Sequence, residues 1–365
     1  MNDNPPLLNV PPPPPPPYVP APVAAGQPRR TGWIVFAVVV CFLLVISLMI
    51  NMGLLASLGG KSAAHGIPLE EQFVDGNPHA KDKIVVISLA GVISSSTEGS
   101  VSEDGMVGEI RDQLLQALDD KKVRAIILRI NSPGGEVVAS DAIYQAVAKA
   151  RDEKPVIAII ETMGASGAYY AAMGSSHVIA HDLSITGSIG VIMQSFTFGG
   201  YEGSLMGKVG VKSYTFKSGR YKDLLNPTRE ATDEEKQLIN EMIMEVYEKF
   251  VGIVAAEREI DVEKLRTGLA DGRIFSGKQA LANGLVDELG YFEDAIERAK
   301  ALARIEDARV IRYTMPFSLQ NLLRIFGETE QGRITSRHRL QLELVPNPLR
   351  MEAGKMYFLP PYMFQ

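Results

Sequence analysis

Ser166 sits in Gly164-Ala165-Ser166-Gly167-Ala168, a stretch in which small residues flank a hydroxyl on both sides. A strand ends at about Glu161 and a small-residue helix begins near Ser166, so the hydroxyl sits at the positive end of a helix dipole. A substrate backbone could approach it closely, and developing negative charge would be favoured there. Such a serine is either a nucleophile or simply the cap of its helix, the common task of serine at that position. Pro133-Gly134-Gly135 follows a second apolar strand and precedes a second helix. Its amides can point outward with no side chain in the way, as a backbone oxyanion hole requires. An ordinary glycine turn would read the same way.

A serine nucleophile needs a base. His65 and His79 fall in a polar linker and His338 in the tail, which leaves His177 and His181 beside the short apolar run Val178–Ala180. His181-Asp182 invites a triad reading, but neighbours along a strand point to opposite faces, so the pair is poorly placed for an orienting contact. A lysine can serve instead where burial brings its proton affinity toward neutrality. Lys217 and Lys222, in Lys217-Ser218-Gly219-Arg220-Tyr221-Lys222-Asp223, are the two candidates; read alone, both are ordinary solvated charges.

The elements that must hold these residues follow from the hydropathy pattern. Lys83–Leu89, Val123–Ile130 and Pro155–Ile160 are β-branched runs. Helical spacings lie between them, over Val107–Leu118 and from about Val137 to Arg151. This alternation predicts an α/β domain with a largely parallel sheet. Thr232-Asp233-Glu234-Glu235 is a capping box, and the helix it opens places Leu238, Ile239, Met242, Val246, Phe250 and Val254 on one core-facing side. Val211–Phe216 reads as a strand, another helix spans about Glu293–Ala303, and Arg309–Tyr313 closes the domain.

Upstream, Pro11–Pro17 is an unbroken proline run in a segment that reads as an extended spacer or as a docking site for a proline-binding partner. From Thr31 to Gly60 there is no charged residue, and Trp33–Ile50 is almost continuously apolar. Eighteen helical residues rise roughly 27 Å against the roughly 30 Å of a bilayer core. The run is longer than the apolar region of a cleaved signal peptide, so an uncleaved anchor is expected. Arg29 and Arg30 precede the span and only Lys61 follows it closely, which keeps the head in the cytoplasm and sends the remainder outward. The chain has 365 residues and a net charge of −6, no footprint for nucleic acid. Its one cysteine, Cys41, lies in the apolar run, so neither an internal disulfide nor a cysteine metal site is available.

Asn131-Ser132-Pro133-Gly134-Gly135, Gly164–Tyr170, Thr186–Ile192, Lys217–Asp223, Asp271–Ala280 and Gly284–Gly290 occur in one order. Together they resemble the bacterial signal peptide peptidase A family, over about Lys83 to Tyr313 and in its short, single-module form. The resemblance implies a Clp-protease/crotonase-type α/β fold with repeated β-β-α units, behind one N-terminal transmembrane helix. It implies a Ser–Lys dyad in which Ser166 is the nucleophile, Lys222 the base and Ser188 the hydroxyl that holds the base. Gly134 and Gly135 match the oxyanion loop, and no metal or organic cofactor is implied.

The substrates would be hydrophobic peptides such as cleaved signal peptides, taken in a groove for small or apolar side chains. A homo-oligomeric ring, with one subunit's lysine serving the next subunit's serine, is also implied. The expected organisation is a proline-rich cytoplasmic tail over 1–31, an anchor over 32–57, a linker over 58–81, the peptidase domain over 82–315 and a tail over 316–365. Two rival readings on the same fold are a crotonase-type acyl-CoA enzyme and a non-catalytic ring scaffold. The first needs no serine nucleophile, and the second would not require Ser166, Ser188 and Lys222 together.

Overall fold

The structure is a computed structural model that describes residues 31–59, 69–95, 105–315 and 356–358. The expected proline-rich head, the segment 60–68 and most of the tail beyond 315 lie outside the described residues. The chain divides into two units, 1–64 and 65–365. In the first, α1 (Thr31–Gly59) contains Trp33–Asn51, 19 residues of mean hydropathy 3.1, long and apolar enough to cross a membrane. It has no polar stripe because apolar residues surround it on all sides, as a helix in lipid requires.

The second unit opens with β1 (Glu70–Gly76), β2 (Lys83–Ile93), α2 (Gly105–Asp119), β3 (Val123–Glu136), α3 (Val137–Arg151), β4 (Val156–Ala165) and α4 (Gly167–Ala172). It continues through β5 (His177–Ala180), β6 (Ile185–Gly187), α5 (Leu205–Lys208), α6 (Asp233–Arg258) and α7 (Val262–Lys264). It closes with β7 (Ile274–Ser276), α8 (Gly277–Ala282), β8 (Glu288–Leu289), α9 (Phe292–Ala303), β9 (Arg309–Thr314) and β10 (Tyr357–Phe358). The main sheet runs β1-β9-β2-β3-β4-β5-β8, parallel except for β1. Residues 70–76, expected in a linker, are therefore an edge strand, antiparallel to β9.

Alternate residues of the central strands serve two cores, which is why those strands read as continuous apolar runs. Ile84, Val86, Ile127, Ile157 and Ile159 face α9 through Ala295, Ile296 and Ala299. Val85, Ile87, Ile126, Leu128 and Ala158 face the helices on the other side, α2, α3, α4 and α6 among them. The expected capping box is formed, with Glu235 N donating to Thr232 Oγ1 at 3.2 Å and Thr232 N to Glu235 Oε2 at 2.9 Å. The expected core stripe of α6 is only half realised. Phe250, Val251 and Val254 are buried, whereas Met242 is exposed and Leu238, Ile239 and Val246 are half-buried. Val211–Phe216 is not a strand but an exposed irregular segment with no partner strand among the described residues.

β3 and β4 both run further than their apolar patterns imply. β3 continues through Asn131-Ser132-Pro133-Gly134-Gly135 to Glu136, because Val92 and Ile93 of β2 pair with Gly134 and Gly135. β4 continues to Ala165, because Met163, Gly164 and Ala165 pair with Ile185, Thr186 and Gly187 of β6. These extensions, beyond the apolar sheet, carry the candidate chemistry.

Candidate active site

Ser166 is the hinge between β4 and α4. Its backbone lies at φ 53° and ψ −116°, a positive-φ conformation that costs a non-glycine residue about 1–3 kcal/mol. Its amide donates to Gly187 O at 2.7 Å, and its carbonyl accepts from Tyr170 N at 2.8 Å. The side chain makes no capping bond, so the simple helix-cap reading does not hold. Ser166 is 0% exposed, and its Oγ has no hydrogen-bond partner among the described residues. A strained strand-to-helix turn that presents a hydroxyl is the geometry of a nucleophile elbow.

The parallel β4–β6 register sets Ala165 opposite Gly187, so Ser166 and Ser188 each follow a paired residue. Ser188 is buried, has φ 51°, and is tied by its amide to Arg273 O at 2.8 Å. The β3–β4 register pairs Ser132 with Gly164, which carries Gly134 and Gly135 to the same end of the sheet. Gly134 has φ 102°, and a β-carbon built on it would stand 2.6 Å from Gly167 N. One built on Gly167 would stand 3.2 Å from Gly135 N. The amides of Gly135 and Gly167 thus converge beside Ser166, the arrangement an oxyanion needs. Gly134 and Gly135 were legible in the sequence as glycines after a strand; that Gly167 stands beside them is a tertiary contact.

Lys222 does not reach this cluster within one chain. It lies exposed in the loop before α6, and its ammonium meets no acceptor among the described residues. Lys217 is engaged elsewhere, with its Nζ 2.6 Å from Asp223 Oδ1 and 3.0 Å from Arg220 O. The loop is braced by Arg229, which bonds Asp223 Oδ2 at 2.8 Å and Glu235 Oε1 at 2.6 Å. Arg229 first, and Lys217 second, hold the Asp223 carboxyl well below its ordinary range. The Arg229 guanidinium and the Thr232 amide hold Glu235 at about 2 despite burial. This brace had no sequence signal beyond mixed charges around a capping box.

His181 does not form the triad its position invites, for a different reason from the one the sequence suggests. It does meet Asp182, Nδ1 to Oδ1 at 3.1 Å, because Asp182 lies in the turn after β5 rather than on the strand. The same Nδ1 accepts the Leu183 amide at 3.1 Å, so it has no proton to offer the carboxylate, as a triad would require. Its ring packs edge-on against Tyr291, 4.9 Å between centroids. His177 is held by Glu288 at 3.1 Å. Among the described residues no group of His, Cys, Asp and Glu could hold a metal ion.

The sequence profile of peptidase family S49 matches residues 148–306, and that of Clp protease matches residues 93–183. A signal peptide peptidase SppA homologue of Enterococcus faecium is 38% identical over 234 residues, covering 63% of this chain and 67% of that protein. A protease homologue of Synechocystis is 40% identical over 230 residues, 63% of this chain and 78% of that one. The chloroplastic serine protease SPPA of Arabidopsis thaliana is 35% identical over 230 residues, but these make up only 33% of its length.

Proposed function

Since the chain belongs to peptidase family S49, the signal peptide peptidase family, and is a serine peptidase acting on peptides, we propose that Ser166 is its nucleophile and Lys222 its general base. The observation that carries this reading is Ser166 itself: strained, buried, without a partner for its Oγ among the described residues, and set against the neighbouring Gly135 and Gly167 amides. Neutral Lys222 Nζ takes the Oγ proton as Oγ attacks the substrate carbonyl carbon. The oxyanion is held by the amides of the Gly134–Gly135 loop and Gly167. The lysine then protonates the leaving amine, and a water activated by the same lysine releases the acyl group. Ser188 holds the lysine in place.

Because Lys222 does not meet Ser166 in one chain, a shared site in a homo-oligomeric ring is the assembly that fits. The loop segment that precedes Lys222 supports this. It exposes Phe196, Leu205, Val209, Tyr214 and Phe216, the last at 94%, and a surface of this kind is usually an interface. The two profile matches favour the Clp-protease/crotonase-type fold with β-β-α units. The substrates proposed are hydrophobic peptides, cleaved signal peptides among them. The catalytic domain would stand outside the cytoplasm on the α1 anchor, with residues 1–31 as the cytoplasmic tail and 58–69 as the connection.

A fluorophosphonate probe tests the nucleophile. Wild-type protein should be labelled at Ser166, and Ser166→Ala should lose both labelling and peptide cleavage. A Ser166→Ala protein that still cleaves peptides would overturn the assignment.

A further inference from the structure

Gly135 is held in place by a short piece of ladder at the far end of β2. The β2–β3 pairing runs without a break from Ile84 with Ala125 to Ala90 with Asn131. It resumes at Val92 with Gly134 and Ile93 with Gly135, so β3 advances three residues while β2 advances two. Pro133 sits in the gap and has no amide to donate, and Gly91 crosses it at φ 79°. On the other side the β3–β4 ladder ends where Ser132 pairs with Gly164, and Tyr357 and Phe358 of β10 take the edge that β4 leaves. The proposed oxyanion glycines are therefore joined to β2 by two pairs, a piece of ladder short enough to fray by itself. The approach is close: a β-carbon built on Gly135 would stand 1.9 Å from Ile93 O.

Glu136 closes this ladder, and it has no part in the proton transfers or in binding the oxyanion. It is 8% exposed, and carboxylates are almost never buried without partners. Its side chain reaches the chain just beyond β2. Oε2 accepts the Ser95 amide at 3.1 Å and the Ser95 hydroxyl at 2.5 Å, and Ser94 Oγ stands 3.4 Å from Oε1. Its carbonyl accepts from Ser140 Oγ at 2.8 Å, which fixes the backbone behind it. Glu136 is the residue before α3, where a polar side chain ordinarily caps the helix, yet it makes no capping bond. The carboxylate lies over the ladder instead. A negative charge one residue from a developing oxyanion would oppose it. Hydroxyl and amide donors on that carboxylate take the charge up.

We propose that Glu136 is a positioning residue for the peptidase reaction. By clasping Ser94 and Ser95 it locks Val92–Ile93 against Gly134–Gly135 and fixes the Gly135 amide where the oxyanion forms. This rests on the reading of Ser166 as nucleophile and of the glycine loop as its oxyanion site. A donor aimed at the transition state changes kcat and leaves ground-state binding alone. Loss of the clasp therefore acts on the chemical step, and displacing the donor by an ångström costs up to about a hundredfold.

The test uses the full chain and two readouts, steady-state peptide cleavage and the rate of Ser166 labelling by a fluorophosphonate, whose phosphoryl oxygen takes the oxyanion position. Glu136→Leu fills the space and offers no acceptor. It should lower kcat and the labelling rate together by at least about tenfold, with KM within about twofold of wild type. Glu136→Gln should recover most of the loss, because its amide oxygen accepts both Ser95 donors and Ser94 Oγ can accept from its amide nitrogen. Ser95→Ala changes an exposed residue and leaves the fold intact. It should lower kcat in the same direction, and it should add nothing to Glu136→Leu in the double variant.

Wild-type kcat in folded Glu136→Leu, a loss confined to KM, Glu136→Gln no better than Glu136→Leu, or additive losses in the double variant would each overturn the proposal. If Glu136→Leu does not fold, Ser95→Ala decides: a fall in kcat at unchanged KM supports the clasp, and wild-type kcat ends it. A wild-type protein that the probe never labels would instead remove the serine reading, and the role of Glu136 with it.

Discussion

Folded chains rarely keep a buried hydroxyl without a partner, and Ser166 Oγ, which has none among the described residues, sits on a strained backbone. The combination makes sense if Oγ is held for a partner that arrives later, a substrate carbonyl on one side and an amine base on the other. Lys217 and Lys222 differ as candidates for that base. The Lys217 ammonium is already committed to Asp223, whereas Lys222 meets no partner among the described residues. Lys222→Ala should therefore lower turnover by at least about a hundredfold, while Lys217→Ala, which removes a partly exposed ion pair, should stay within about fivefold of wild type. Co-assembled Ser166→Ala and Lys222→Ala proteins should regain part of the activity, since some sites then join an intact serine to an intact lysine. No recovery in rings known to be mixed would place both residues of a site in one chain, and full activity of Lys222→Ala would remove the dyad.

Between the residues and the molecule stands the loop that carries Lys222, and its order depends on one guanidinium. Arg229 joins Asp223 in the loop to Glu235 in the first turn of α6, whose amides Thr232 and Glu235 cap reciprocally. The sign of the pH effect follows from the carboxyls. Glu235 is lowered from 4.5 to about 2 in the folded chain, so its stabilising contribution is complete above pH 4.5 and disappears as the pH falls toward 2. Asp223, depressed by the same partner, acts in the same direction. Protection of residues 217–232 against limited proteolysis or amide exchange should be constant from neutral pH to about 4.5, then fall. Glu235→Gln should blunt that step. Loosening that sets in between pH 7 and 5 would assign the order of the loop to some other group.

For the molecule as a whole, the arrangement on the membrane decides which peptides it can meet. α1 has no charge to anchor its direction, so orientation rests on Arg29 and Arg30 before it against Lys61 after it. Protease added to intact spheroplasts should digest the domain of residues 65–365 or clip its exposed segment around Phe196–Phe216. Digestion only after lysis would reverse the orientation and put the substrate supply on the cytoplasmic side.

Much of this was readable from the chain because it depends on local order. Alternating β-branched runs and helical spacings locate α2, α3 and α9 to within a few residues and mark where β2 and β4 begin, and Thr232–Glu235 marks the start of α6, since period and capping are properties of neighbours in sequence. The small residues around Ser166 and the glycines at 134 and 135 are visible for the same reason. What tertiary structure decided are the ends and the meetings. β3 and β4 run on past their apolar stretches because β2 and β6 supply ladder partners there, which no pattern within either segment encodes. The exposed half of α6 and the irregular Val211–Phe216 look like core and strand in sequence, because an apolar side chain reads the same whether it faces a core or bare surface. Nothing in an aperiodic tail tells that Tyr357 and Phe358 close over Ser166. That contact spans almost two hundred residues, and it exists because the open edges of Gly135 and Ile192 stand one strand's width apart.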